Sequence, residues 1–264
     1  MGKQHINVID LFCGCGGFSL GFERAGFDVL LGIDVWKDAL TTFEFNHRNS
    51  VTLQADLSTL APESTVPLLK GKKVDVIIGG LPCQGFSVAG KRIVSHFIPL
   101  NPVLGDVIDE KEYSNESLFF SDRAVAGMLA VREKMNKGRA QNLDEPCNTI
   151  SAHLAKVSLN STDPVLMIGN RYRRFSTREA ARIQSFPDTF HLDVVSPIRQ
   201  YKAIGNAVPP VMMWHIANTL QRAFEVTDGE YDAAAPEVSP YYFYPNYDGQ
   251  QGCLFEQAAS YGCL

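Results

Sequence analysis

The chain has 264 residues, 45% of them hydrophobic and 20% charged, with a net charge of -5. That is enough apolar material for a sizeable core, and it excludes a uniformly basic, indiscriminate nucleic-acid binder. No apolar run approaches the ~18 residues of a membrane-spanning helix, and the opening MGKQHINVIDLF lacks the apolar core and cleavage site of a secretory signal.

Six cysteines stand at 13, 15, 83, 147, 253 and 263, with no Cys-x-x-Cys pair. Their spacing suits neither a disulfide framework nor a zinc site, so the expected setting is a reducing cytoplasm and no metal. Charge is uneven. Arg123 to Arg182 holds eleven Lys and Arg against five Asp and Glu. One basic region on an acidic body can face phosphate, or it is simply a solvated charged surface.

The first third alternates between two periods. INVIDLF is a short apolar run ended by the glycine-rich CGCGG, and FSLGFERAGF follows with helical spacing of Phe18, Leu20, Phe22 and Ala25. DVLLGID predicts a second strand ending at Asp34, and KDALTTFEFNH a second helix. VTLQADL predicts a third strand ending near Asp56, and VDVIIGG a fourth running into Leu81, Pro82 and Cys83. Strands alternating with helices imply a parallel sheet, whose ligands bind beyond the carboxyl ends of the strands. On that pattern Asp10, Asp34, Asp56 and Cys83 all reach one crevice.

Beyond about residue 100 the periodicity weakens. SDRAVAGMLAVREKMNKG predicts a helix, STREAARIQSF a helix opened by a capping box of Ser176 and Glu179, and VPPVMMWHIANTLQRAF a last amphipathic helix. The boundaries expected are 1–98 for an α/β part, 99–197 for a second region, 198–226 for a returning helix and 227–264 for a loosely held tail.

The loop DLFCGCGG, with Asp34 twenty residues past Gly14, has the mechanics of a nucleotide or adenosyl site: glycines admit close backbone approach and the acid accepts from ribose hydroxyls. A tight structural turn explains it nearly as well. Cys83, in a polar loop at a strand's carboxyl end, is either a small buried hydrophobe or a nucleophile.

Taken in order, DLFCGCGGFSLGFERAGF, GGLPCQGFS, RRFSTREAARIQSFPDTF and YKAIGNAVPP resemble the motifs of the DNA (cytosine-5)-methyltransferases, the modification enzymes of bacterial restriction systems. The resemblance implies a Rossmann-like S-adenosylmethionine-dependent methyltransferase sheet with a smaller, irregular target-recognition region. It implies that Phe12, Gly14, Gly16 and Gly17 cradle S-adenosylmethionine and that Asp34 holds its ribose, with Val35 where the family often has an aromatic and Trp36 next. Asp56 would meet the adenine amino group beside Leu57, and Asn206, Ala207 and Val208 would close the pocket. Cys83, positioned by Pro82, would add covalently to a cytosine flipped out of double-stranded DNA. Gln84, Ser87, Arg178 and Arg182 would bind DNA or organise the target region.

Two family motifs, Glu-Asn-Val and Gln-x-Arg-x-Arg, do not occur. The first supplies the carboxyl group that assists at cytosine N3. Their absence implies a sheet missing at least two βα units, with an apolar edge exposed. Three explanations follow: an internally deleted chain that binds S-adenosylmethionine or DNA without turnover, a second polypeptide that supplies the strands, or a substitute acid at Glu110, Glu112 or Glu116. The tail holds one more pattern: Gln251-x-x-Leu254-Phe255 is similar to peptides that dock on the bacterial sliding clamp.

A nicotinamide oxidoreductase leaves the Pro-Cys-Gln loop and GNAVPP without a role. A zinc base deaminase requires His-x-Glu and Pro-Cys-x-x-Cys, which are absent.

Overall fold

The computed structural model describes residues 5–80, 108, 110–135, 140–141, 147, 150–156 and 164–225. They group into two compact units. The first takes in the described residues up to 80, Thr189–Val195 and those from Ala207 on; the second takes in those from 108 to Asp188 with Ser196–Asn206.

In the first unit, strands β1 (Asn7–Leu11), β2 (Asp28–Asp34), β3 (Val51–Gln54) and β4 (Val76–Gly79) form a parallel sheet of order β3-β2-β1-β4. Helix α1 (Gly17–Arg24) follows β1 and α2 (Lys37–Asn46) follows β2. The five central residues of β2, Val29 to Ile33, are all buried, which is why DVLLGID reads as a continuous apolar run instead of an alternating one. Ile9, Leu31 and Ile33 cluster with Leu68 and Leu69 of a 3-10 turn, Pro62–Leu69. Gly32 serves the helical side: a Cβ there would come within 2.7 Å of the Phe43 ring, so the glycine lets α2 lie close on the sheet.

The last helix, α6 (Pro210–Glu225), packs on α1. A Cβ at Gly21 would stand 2.6 Å from Met213 Cβ and Pro210 O, which fixes glycine at that crossing. Ile77 on β4 is 64% exposed, an apolar sheet position left uncovered.

The second unit contains α3 (Asp122–Met135), an antiparallel pair β5 (Leu166–Ile168) and β6 (Arg171–Arg173), and helices α4 (Thr177–Ile183) and α5 (Pro197–Asn206). Leu154, Leu166, Phe175 and Ile204 are fully buried in it.

Two elements differ from the sequence expectation. β3 stops at Gln54, not near Asp56, because the Asp56 carboxylate accepts from the Ser58 amide at 2.9 Å and hydroxyl at 2.7 Å and turns the chain. The stretch 198–226, expected as one returning helix, forms two, α5 and α6; Ser196 followed by Pro197 starts the first, with the Ser196 carbonyl accepting from Arg199 and Gln200. Gly205, in the last turn of α5, lies against the backbone of Ser151 and Ala152, which a Cβ would meet at 2.3 Å.

Candidate functional site

The carboxyl ends of β1 to β3 are tied together by their own backbone. Cys13 N–H donates to Ile33 O at 3.1 Å, and Ala55 N–H to Asp34 O at 3.1 Å. The Asp34 side chain completes the join: Oδ2 accepts from Gly14 N–H at 2.9 Å and Oδ1 from Trp36 N–H at 2.8 Å. One carboxylate thus clamps the glycine loop after β1 to the turn after β2.

The loop itself is held in left-handed conformations. Phe12 has φ 57°, Gly14 55° and Gly16 97°. A left-handed phenylalanine is uncommon and costs of order 1 kcal/mol, strain that tends to gather at ligand sites. Gly14 and Gly16 then part company. A Cβ at Gly14 would meet nothing within 4 Å, so that glycine borders open space, whereas Gly16 backs onto packed side chains.

The other tip residues divide by exposure. Val35 is 64% exposed, while the Trp36 indole N–H is tied to Asp38 at 3.0 Å. Asp56 is exposed, and the Ser58 hydroxyl and amide hold its carboxyl below the usual range, a ready acceptor; Leu57 is half-buried against the sheet core. A Cβ at Gly80 would be 3.5 Å from Val208, 3.9 Å from Phe18 and 4.0 Å from Phe12 O, so Val208 lies beside the tips of β1 and β4. Ala207 adjoins it, and Asn206 is an exposed residue of the second unit. Gly17 opens α1 and is buried. Pro82, Cys83, Gln84 and Ser87 lie outside the described residues, as does Gln251–Phe255.

Asp10 does not share the crevice. It is fully buried and turned toward α1, where its Oδ2 accepts from the Ser19 hydroxyl at 2.6 Å and its Oδ1 has no partner. Burial outweighs the Ser19 bonds and pushes its carboxyl from 3.8 up to about 7. The folded state therefore holds this proton more tightly than the unfolded chain, so the associated stability is present at acid pH and is lost as pH rises from 4 through 7. The Asp10→Asn variant should show a pH–stability slope flatter than wild type over that window. The difference is expected to reach at most ~4 kcal/mol by denaturant titration. Parallel curves would contradict it. Burial likewise pushes the Cys13 thiol up and those of Cys15 and Cys147 to about 12, which leaves all three inert as nucleophiles.

In the second unit the arginines of α4 are committed to structure. Arg182 forms a two-pronged pair with Asp188 at 2.7 and 2.8 Å, and Arg178 donates to Pro187 O at 3.2 Å. Arg171 pairs in the same way with Glu116 and lies 4.0 Å over the Phe119 ring. Arg171 and Arg182, two of the positive charges counted in this region, are therefore balanced within the unit. Glu116, held below the usual range by Arg171, is poorly suited to give a proton.

Sequence reading missed Arg173. Its side chain is fully buried and bonds both oxygens of the equally buried Glu179, at 2.7 and 2.8 Å. Glu179 stood out only as a capping residue, and the Arg173-Arg174 doublet before it was the available signal.

A family model described as C-5 cytosine-specific DNA methylase matches residues 6–95 and 106–222. The chain belongs to that family. Among curated methylases, type II methyltransferase M1.HphI of Haemophilus parahaemolyticus is 49% identical over 33% of this chain and 23% of its own length. M.DdeI of Desulfomicrobium norvegicum is 34% identical over 60% of this chain and 37% of its own. The chain thus spans well under two-thirds of the length of these two relatives. M.AplI of Arthrospira platensis is 27% identical over 84% of this chain and 88% of its own.

Solved structures of similar fold include Dnmt2 methyltransferase of S. pombe (TM-score 0.58, 13% identity, 83% of this chain and 99% of that one). Another is a putative DNA modification methyltransferase encoded within an E. coli prophage (TM-score 0.51, 22% identity, 83% and 99%). The methylase fold, a Rossmann-like parallel sheet, is common to them. Among the described residues, no helix is long and apolar enough to cross a membrane.

Proposed function

We propose that this chain binds S-adenosylmethionine at the tips of β1 to β3 and methylates C5 of a cytosine flipped out of duplex DNA, with Cys83 as nucleophile. The observation that carries the cofactor half is the Asp34 clamp on Gly14, beside open space at Gly14, followed by exposed acceptor and apolar groups at Asp56 and Val35. These residues fit an adenosyl group: Asp34 for the ribose, Asp56 and Leu57 for the adenine edge, Val35 over its face. When bound, S-adenosylmethionine supplies an electrophilic methyl group.

The protein's part is covalent. The Cys83 thiolate adds to cytosine C6, which makes C5 nucleophilic; once C5 is methylated and its proton is lost, the C6–S bond breaks and the thiolate returns. The target must leave the stack for this attack.

Tritiated methyl transfer to mixed-sequence DNA tests the reading, with Cys83→Ala alongside. Wild-type incorporation and a loss of at least ~10³-fold in the variant are expected for removal of a covalent nucleophile. Incorporation by both would remove Cys83 from the mechanism.

A partner-dependent or non-catalytic variant of this reading can be tested separately. The comparison with M.AplI runs over 312 positions but takes up 84% of the 264 residues here, about 222. Roughly 90 positions of that relative therefore have no counterpart, room for about three βα units of ~30 residues. With Glu-Asn-Val also missing, the N3 carboxyl would come from a second polypeptide or from a substitute acid such as Glu110 or Glu112. Binding of S-adenosylmethionine without incorporation, followed by turnover once such a fragment is added, would identify this case.

The cradle predicts its own diagnostic. Gly14→Ala should cost only ~1 kcal/mol, the left-handed penalty for an L-residue, because nothing protein-borne is struck. It should nevertheless weaken S-adenosylmethionine at least tenfold by equilibrium dialysis, since the methyl group enters the open space. Unchanged affinity would place the cofactor elsewhere.

A further inference from the structure

His47, just past the end of α2, is walled in on every side yet has one nitrogen without a partner. Its side chain is fully buried. The ring lies 4.3 Å from the Phe43 ring and 6.2 Å, edge-on, from Phe190. Phe190 is brought there by a two-bond clasp from the neighbouring residue: Asn46 Nδ2 donates to His191 O and Asn46 Oδ1 accepts from His191 N, each at 2.8 Å. His47 Nδ1 lies 2.8 Å from Glu23 Oε2. Nε2 bonds nothing and is directed at Gly16, where a Cβ would fall 2.1 Å from it.

Gly16 is the hinge of the glycine loop. Its N–H closes the turn onto Cys13 O at 2.9 Å, and its carbonyl accepts the first helical bond of α1, from Leu20 at 2.8 Å. His47 therefore touches α1 at both ends, through Glu23 in its last turn and against Gly16 at its cap. A leucine or phenylalanine would fill the same volume and leave no nitrogen orphaned. What the imidazole adds is a fixed plane, set by the bond to Glu23.

We infer that His47, oriented by Glu23, is a positioning residue for the cofactor loop: it backs Gly16 from the interior and holds the left-handed turn that aims the loop toward the open space at Gly14. The inference rests on the proposal that this loop binds S-adenosylmethionine. Its ligand-free consequence is separable from that proposal. Without the ring behind it, the turn at Gly16 loses its support and the amides of residues 12–17 open more often.

The test pairs hydrogen exchange of the 12–17 peptide with S-adenosylmethionine affinity, using His47→Ala, Glu23→Ala and Glu23→Gln in the full chain. His47→Ala should speed exchange of that peptide at least tenfold, above any change in peptides of β2 or α6, and weaken S-adenosylmethionine by a similar factor. Added imidazole, which fits the vacated space, should restore both. Glu23→Ala, on a partly exposed carboxylate, should fold and give a smaller change of two- to fivefold, and Glu23→Gln, which keeps a hydrogen bond, should stay near wild type. Loop exchange that is unchanged in both His47→Ala and Glu23→Ala, or that rises only together with exchange everywhere, overturns the assignment. Faster loop exchange in a protein whose wild type binds no S-adenosylmethionine would keep His47 as the loop's support and reject the cofactor reading instead.

Discussion

Gly16→Ala is expected to destabilise the protein by about 4 kcal/mol in denaturant titration. Two independent costs combine. At φ 97° an L-residue is strained by roughly 1–2 kcal/mol. The new Cβ would also fall 2.1 Å from His47 Nε2 and 3.1 Å from the Phe43 ring, so a buried imidazole must move, breaking its bond to Glu23. Forcing extra atoms into a packed core costs a further 1–3 kcal/mol. A double-mutant cycle separates the two. Adding His47→Ala should relieve the collision but not the strain, giving a coupling of about 2 kcal/mol between sites that touch. A single-variant cost near 1 kcal/mol, or additive effects, would mean that the ring yields freely and that Gly16 is required for its backbone alone.

Truncating Glu179 should be the most damaging change in the second unit. Glu179→Ala would strand the Arg173 guanidinium, 0% exposed, without a counter-charge. It also removes the acceptor for Ser176 N–H at 2.7 Å, half of the capping box that starts α4. Leaving one member of a buried ion pair alone typically costs 3–5 kcal/mol, and loss of a cap adds about 1. Replacing both partners, Arg173→Met with Glu179→Leu, should recover most of the loss, because two apolar groups need no desolvation of charge. Thermal and denaturant unfolding of the three variants measures it. If the double variant were as unstable as Glu179→Ala, the pair would contribute more than the relief of an uncompensated charge.

The family resemblance and much of the local architecture were readable from the chain. β2 occupies the seven residues of DVLLGID, and the Ser176–Glu179 spacing gave the cap of α4, because strand and helix periods and capping offsets are encoded within a few residues. The twenty-residue spacing of Gly14 and Asp34 suggested two residues at neighbouring strand ends, because a βα unit repeats a known distance; that the acid bonds the glycine amide itself was not readable.

What stayed hidden has one physical character. Asp10 faces Ser19 and is sealed instead of lining the crevice, His47 meets Gly16 from another helix, and Arg173 is buried on Glu179. Each depends on which side of an element turns inward and on what packs over it, and neighbouring letters in the sequence do not carry that. Residue types and short spacings thus set the strands, the caps and the candidate chemistry. Only the tertiary packing determined which acids are exposed, which glycine borders open space and which charges are already neutralised, because burial is a property of several distant segments together.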